Sequence, residues 1–138
     1  MSANAKTPND CKILVVDDEP IMVDIITAHL NRAGFWNTVG MSDPIDAMDG
    51  VYIESPDLLI VDISMPRMNG NELLEIVRSD STTEGLPVLV ITGSRKESDL
   101  NRARDLGAAE ILAKPIRPER LLAAVTSAVG PSASQPSC

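Results

Sequence analysis

Aromatic residues and cysteines are scarce in this sequence. One Phe, one Tyr and one Trp make up 2% of the chain, and the two cysteines, Cys11 and Cys138, lie near opposite ends. Two such positions do not form the disulfide framework of a small secreted domain, which suits a reducing compartment. No apolar run is as long as a membrane span, and residues 1–10 lack the apolar stretch of a signal peptide. We expect a soluble, cytoplasmic chain that does not contact the membrane.

Basic residues are in the minority. Twelve Lys and Arg face 20 Asp and Glu, which gives a formal net charge of -8. Such a field repels nucleic acid and anionic lipid, so direct nucleic-acid binding is not expected. The 43% hydrophobic and 23% charged residues are ordinary for a globular protein, and 138 residues suffice for one domain with a real core.

Short apolar runs predict the strands. Continuous runs of β-branched residues and Leu indicate strands covered on both faces, as in a parallel sheet. They lie at Ile13–Val16, 58–61, 88–91 and 111–113, with a weaker strand near 37–41. The fold class that follows is α/β.

The segments between these runs have helical periodicity. The best-defined helix begins at Pro20, stops at Gly34 and carries an apolar stripe of Ile21, Met22, Ile25, Ile26, Leu30 and Ala33. The second opens at Asp43-Pro44, Asn71 can cap a third, a fourth covers 97–106, and the last ends at Gly130. The predicted organisation is a flexible segment 1–10, a domain 11–129, and a Ser-, Pro- and Ala-rich disordered tail or start of a linker at 130–138.

Polar residues follow the predicted strands where a parallel sheet places its sites. In chain order they are Asp17, Asp18 and Glu19, then Asp62, then Thr92, then Lys114. Each alone has an ordinary reading, because an Asp after a strand is usually a turn or cap residue. Their joint placement at the ends of successive strands favours a functional site over unrelated turn and cap residues.

This set of side chains suits phosphoryl chemistry. Three converging aspartates repel one another unless a cation neutralises them, and oxygen ligands favour a hard ion such as Mg²⁺. A carboxylate can be the nucleophile that forms an acyl phosphate. Lys114 and Thr92 would then supply an ammonium and a hydroxyl for the phosphoryl oxygens.

Other conspicuous residues have simpler interpretations. His29 has no Cys or second His nearby and is expected to be an exposed helix residue. Phe35 and Trp36 are expected to pack at a corner between a helix and a strand. Arg67 is expected to be solvated.

Four segments carry a resemblance to a known family. They are Ile-Leu-Val-Val-Asp-Asp-Glu-Pro at 13–20, Asp-Ile-Ser-Met-Pro-Arg-Met-Asn-Gly at 62–70, Val-Ile-Thr-Gly at 90–93, and Gly-Ala-Ala-Glu-Ile-Leu-Ala-Lys-Pro at 107–115. In these the chain resembles the receiver domain of bacterial response regulators. The resemblance implies a flavodoxin-like (βα)5 fold, with helices on both faces of a parallel sheet of strand order 2-1-3-4-5.

The resemblance also implies roles for single residues. Asp62 would accept a phosphoryl group from a histidine kinase or a histidine phosphotransfer protein. Asp18 and Asp62 would bind Mg²⁺ through their side chains, the main-chain carbonyl of Ser64 would bind it too, and Asp17 would hold a metal-bound water.

Further expectations concern the phosphoryl group and the output. By the same resemblance, Thr92 and Lys114 would contact the phosphoryl oxygens, and the Lys114–Pro115 peptide bond would be cis. The fourth helix, fifth strand and fifth helix would form the face for a downstream protein or a homodimer.

One position departs from the family pattern. Members usually carry Tyr or Phe three residues before the lysine, where this chain has Ile111. Ile111 cannot turn like a ring, so we expect the signal to leave through residues 93–106. Ile111 also keeps open a second interpretation, a pseudo-receiver that binds protein without using phosphate.

Two other protein families are rejected. A flavodoxin is rejected because the acids after the first strand would repel a cofactor phosphate. A haloacid-dehalogenase-type phosphatase is rejected because Ser64 stands where that family has its second Asp.

Overall fold

The computed structural model describes residues 10–65, 68–94 and 96–129. Residues 1–9 and 130–138, which include the expected tail and all of the expected flexible segment except Asp10, lie outside the described residues, as does Arg67. Of the described helices, none is long and apolar enough to cross a bilayer.

Five parallel strands form one sheet. They are β1 (Ile13–Val16), β2 (Thr38–Met41), β3 (Leu58–Asp62), β4 (Val88–Thr92) and β5 (Glu110–Ala113). The order across the sheet is β2-β1-β3-β4-β5, which confirms the predicted flavodoxin-like topology. In the register, Val16 pairs with Val61 and Thr92 pairs with Ala113, so the polar residues that follow the strands lie at one edge.

Five helices connect the strands. They are α1 (Pro20–Arg32), α2 (Ala47–Glu54, preceded by a 3-10 turn at Pro44–Asp46), α3 (Gly70–Ser79), α4 (Glu97–Asp105) and α5 (Pro118–Ala128). Alternate residues of the central strands face opposite sides, so the sheet has two cores. Ile13 and Val15 pack with α1 and α5 on one side, whereas Leu14 and Val16 pack with α2, α3 and α4 on the other.

The face of α1 differs from the predicted stripe. Val23, Ile26 and Leu30 are its buried residues, whereas Ile21 is 70% and Ile25 is 40% exposed. The six apolar residues span a wider arc than the face that packs on the sheet. The sequence pattern therefore overestimated what this helix buries.

The cap of α3 also differs from the prediction. The N-cap is Asn69, whose side chain accepts from the backbone N–H of Asn71, and Glu72 completes a capping box. Asn71 is the second residue of the helix and is buried. The sequence offered two asparagines, and Asn69 takes the cap because Glu72 is three residues beyond it.

Three minor predictions need correction. Phe35 is buried, but Trp36 is 64% exposed and does not pack at the corner. His29 is half-buried, and its Nδ1 is buried without a hydrogen-bond partner among the described residues. Cys11 is fully buried and disulfide-bonded, whereas the positions of the two cysteines indicated no disulfide framework and a reducing compartment.

Candidate functional site

Three aspartates converge at the carboxyl edge of the sheet. Asp17 and Asp18 follow β1, and Asp62 ends the neighbouring strand β3. Asp17 is 1% and Asp62 is 3% exposed, and Asp18 is half-buried. One carboxylate oxygen from each lies within 4.8 Å of the other two. The structure therefore brings together the three acids that the sequence grouped.

Lys114 reaches this cluster from the edge strand β5. Its Nζ lies 2.9 Å from Asp62 Oδ2 and 3.2 Å from Asp17 Oδ2. The backbone N–H of Lys114 donates to the Thr92 carbonyl oxygen at 2.9 Å, which ties the lysine to the end of β4. The Lys114–Pro115 bond is cis, as predicted.

Short backbone turns orient the polar side chains. The N–H of Glu19 donates to Asp17 Oδ1 at 3.0 Å, and the N–H of Ser64 donates to Asp62 Oδ1 at 2.9 Å. The N–H of Ser94 donates to the Thr92 hydroxyl oxygen at 2.8 Å. Because that oxygen acts as an acceptor here, the hydroxyl proton can still be donated elsewhere.

Burial and charge set the electrostatics of the site. Burial raises the pKa of Asp17, and although the hydrogen bond from Glu19 lowers it, the charge of Asp62 raises it further. Burial on its own would lower the pKa of Lys114, but the hydrogen bond to Asp62 and the charges of Asp62 and Asp17 raise it well above its usual range. Lys114 is therefore charged at neutral pH.

The donor set fits a hard divalent cation. Asp17 Oδ2 is buried and forms an ion pair with Lys114 Nζ at 3.2 Å, but it makes no hydrogen bond among the described residues. One ammonium also cannot neutralise three carboxylates. Oxygen ligands and excess negative charge are what Mg²⁺ prefers. The carbonyl of Ser64 as a further ligand remains a prediction.

Glu19 contacts the site in a way that the sequence did not indicate. Its Oε1 lies 3.4 Å from Lys114 Nζ, and its side chain is 62% exposed. Glu19 thus shares the ammonium with Asp17 and Asp62 at the open rim of the cluster. The run of three acids was visible in the sequence, but only the structure shows that Lys114 lies close enough to pair with Glu19.

A cleft lies beside the residue that replaces the usual aromatic. Its volume is about 240 Å³, and its lining includes Thr92, Leu100, Arg104, Ile111 and Lys114. Ile111 is half-buried and packs against the core on the α3 and α4 side of the sheet. Ile111 therefore forms part of the wall of this cleft.

This geometry agrees with a family comparison. A family described as response regulator receiver domain matches residues 13–126. The chain belongs to this family. Receiver domains are regulatory parts of two-component systems, they bind Mg²⁺ in an acidic pocket, and they interact with histidine kinases or phosphotransfer proteins.

Curated relatives are longer than this chain. It is 31% identical over 125 residues to "DNA-binding response regulator MtrA" of Mycolicibacterium smegmatis, a match that covers 91% of this chain and 53% of the relative. It is 37% identical over 106 residues to "Regulator of RpoS" of Escherichia coli, covering 77% of this chain and 31% of the relative. The chain thus spans about half or less of these relatives.

Solved structures of similar size have the same fold. The chemotaxis protein CheY4 of Vibrio cholerae superposes with a TM-score of 0.78 at 28% identity, covering 86% of this chain and 98% of that one. A response regulator signal receiver domain from Bermanella marisrubri gives 0.78 at 27% identity, with the same coverage. The receiver fold is therefore confirmed over the described sheet and helices.

Proposed function

We propose that this receiver domain accepts a phosphoryl group on Asp62 from a phosphohistidine of a histidine kinase or a phosphotransfer protein. The observation that carries the proposal is the buried Asp62 carboxylate, which lies 2.9 Å from Lys114 Nζ and within 4.8 Å of the carboxylates of Asp17 and Asp18. No other group of three metal-binding side chains is found among the described residues.

In the proposed reaction a carboxylate oxygen of Asp62 attacks phosphorus. The new O–P bond forms as the N–P bond of the phosphohistidine breaks, and the imidazole nitrogen leaves with the electron pair. Lys114 offsets charge on the phosphoryl oxygens, and the Thr92 hydroxyl donates a hydrogen bond to one of them. Attack of water on the acyl phosphate releases inorganic phosphate and restores Asp62. The domain would thus catalyse only its own phosphorylation and dephosphorylation.

The three clustered aspartates provide the metal site of this proposal. Asp18 and Asp62 would bind Mg²⁺ through their carboxylates, the Ser64 carbonyl would bind it as a third protein ligand, and Asp17 would hold one of its waters. The bound ion would supply positive charge that offsets the negative charge of the transferring group. The buried Oδ2 of Asp17, which has no hydrogen bond among the described residues, supports this assignment.

The partners and location follow from the chemistry. We propose a cytoplasmic domain 11–129 whose output face is α4, β5 and α5, used for a downstream protein or a homodimer. The formal charge of -8 argues against DNA binding by this chain itself, although MtrA is called DNA-binding.

Mass spectrometry tests the central step. Wild type incubated with Mg²⁺ and acetyl phosphate should gain the mass of one phosphoryl group, and Asp62→Asn should gain none. Asp24→Asn removes an exposed α1 carboxylate and should be labelled as wild type is. Equal labelling of wild type and Asp62→Asn would show that another residue is modified. No labelling of wild type would favour the pseudo-receiver that Ile111 keeps open.

A further inference from the structure

Helix α4 is weakly anchored to the rest of the fold. Within Glu97–Asp105, all of which the structure describes, only Ala103 is buried. Its N-cap, Lys96, makes no side-chain capping hydrogen bond, so the first N–H groups lack the usual side-chain acceptor. An element with little buried apolar surface is inexpensive to displace. The contacts that hold α4 therefore determine where it lies.

Helix α3 holds α4 through polar groups along its length. Near the start of α4, Asn71 Nδ2 donates to the Asp99 carbonyl oxygen at 2.9 Å. Midway, Arg102 pairs with Glu75 on the surface, where ion pairs contribute little. At the end, Arg78 Nε donates to the Leu106 carbonyl oxygen at 2.8 Å. Of these contacts, the one made by Asn71 is nearest to the start of α3.

The start of α3 is in turn fixed to the backbone of Asp62. The N–H of Gly70 donates to the Ile63 carbonyl oxygen at 2.9 Å. A Cβ placed on Gly70 would lie 2.3 Å from the Asp62 carbonyl oxygen, so the helix start touches the phosphoacceptor backbone itself. Asn71 is the next residue along the chain. It therefore connects two neighbours, the backbone at Asp62 and the first turn of α4.

The amide of Asn71 is unusual for its position. The residue is 7% exposed, and its Oδ1 is buried without a hydrogen-bond partner among the described residues. Leaving a buried acceptor unpaired costs free energy that an apolar side chain of similar size would not cost. Stability alone does not account for an amide here. The hydrogen bond from its Nδ2 to α4 does account for the amide. The unpaired Oδ1 remains available to accept a hydrogen bond in a second arrangement of α3 and α4.

We propose that Asn71 is a positioning residue that couples the state of Asp62 to the position of α4. The inference rests on the proposed function, because it requires a phosphoryl group on Asp62. Phosphorylation displaces the backbone after Asp62, Gly70 moves with it, and the bond from Asn71 to Asp99 changes. That bond is then the differential contact that any population shift of α4 requires.

Amide chemical shifts with beryllofluoride, a phosphoryl mimic, and Mg²⁺ test the coupling. In wild type, saturating beryllofluoride should shift Ile63 and Lys114 at the site and residues 97–105 in α4. In Asn71→Leu, which removes the donor at similar volume, the site shifts should remain. The α4 shifts should fall to about half of the wild-type values or less.

A matched control separates coupling from stability. Val77 is a fully buried residue of α3, so Val77→Ala loosens the helix without touching the bond from Asn71 to Asp99. It should leave the ratio of α4 shifts to site shifts unchanged. If Asn71→Leu fails to fold, Asn71→Ala gives the same readout. Full α4 shifts in the Asn71 variant, with the site saturated, would overturn this inference alone. No site shifts in wild type would overturn the proposed function as well.

Discussion

Replacing Asp17 with Asn should stabilise the metal-free protein. Asp17 is 1% exposed and lies within 4.8 Å of the carboxylates of Asp18 and Asp62. Asn has nearly the same shape, and its side-chain oxygen can still accept the hydrogen bond from the Glu19 N–H, which is 3.0 Å long in wild type. The substitution therefore removes a charge and leaves the turn in place.

The size of the effect follows from Coulomb's law. At an effective dielectric constant of about 20, two unit charges 4.8 Å apart interact by about 3.5 kcal/mol, and Asp17 meets two such charges. Its attraction to Lys114 Nζ at 3.2 Å is about 5 kcal/mol on the same scale. Repulsion thus exceeds attraction by roughly 2 kcal/mol, and water around the half-buried Asp18 reduces that difference. We expect a gain of about 1–2 kcal/mol.

Urea unfolding with a chelator at neutral pH measures this gain. Burial raises the pKa of Asp17 above its ordinary 3.8, so the folded state binds the proton more tightly than the unfolded state does. The wild type therefore loses stability as pH rises through that window. The advantage of Asp17→Asn should be full at neutral pH and disappear as Asp17 becomes protonated in acid.

Added Mg²⁺ should reverse the order of stability. A ligand at about 100 times its Kd stabilises the folded state by about 2.7 kcal/mol, and the wild type should gain more of this than the variant. The control is Asp24→Asn, an exposed α1 position, which changes the net charge equally and should stay within about 0.5 kcal/mol of wild type. A variant no more stable than wild type in chelator would refute the repulsion on which the metal site rests.

Three further predictions concern the metal site and the anchoring of α3. Asp18→Ala should weaken Mg²⁺ binding sharply and Asp17→Ala less, because of these two residues only Asp18 is proposed to bind the metal directly; calorimetry measures both, and wild-type binding by Asp18→Ala would exclude it as a ligand. Gly70→Ala should cost about 1–3 kcal/mol in urea unfolding, since its Cβ would lie 2.3 Å from the Asp62 carbonyl oxygen; an unchanged midpoint would contradict that close approach. Arg78→Met should cost about 2–4 kcal/mol, because its guanidinium donates to the carbonyls of Glu84, Leu86, Leu106 and Gly107; a loss below about 0.5 kcal/mol would show that water replaces these bonds.

The fold was predictable because the sheet is covered on both faces. A strand with two buried faces needs a continuous apolar run, and Ile13–Val16 matches the prediction residue for residue. Helix faces were harder to predict, because apolar residues such as Ile21 can lie beside the contact face and remain exposed. The prediction for Trp36 was wrong for the same reason, because hydrophobicity does not specify on which side of a corner a side chain can pack.

The acidic site was predictable from the order of the strands. Asp17 follows β1 and Asp62 ends the neighbouring parallel strand β3, so topology alone brings them together. Contacts that depend on side-chain reach were not predictable. The contact between Glu19 and Lys114 spans 95 positions of sequence, and the bond from Asn71 to Asp99 joins two helices. No local pattern encodes either contact.

Ile111 and Asn71 together favour a particular route for the signal. The cleft of about 240 Å³ between α4 and β5 is lined by Thr92 and Ile111 among other residues, and the isoleucine stands there where the family pattern has an aromatic ring. A β-branched aliphatic chain has few χ1 states and so offers a smaller difference between two conformations. Asn71 offers a larger difference, because breaking its partly buried hydrogen bond to Asp99 would leave a second polar atom of the same amide unpaired. The coupling energy from Asp62 should therefore pass mainly through α3 into α4, and β5 should move less.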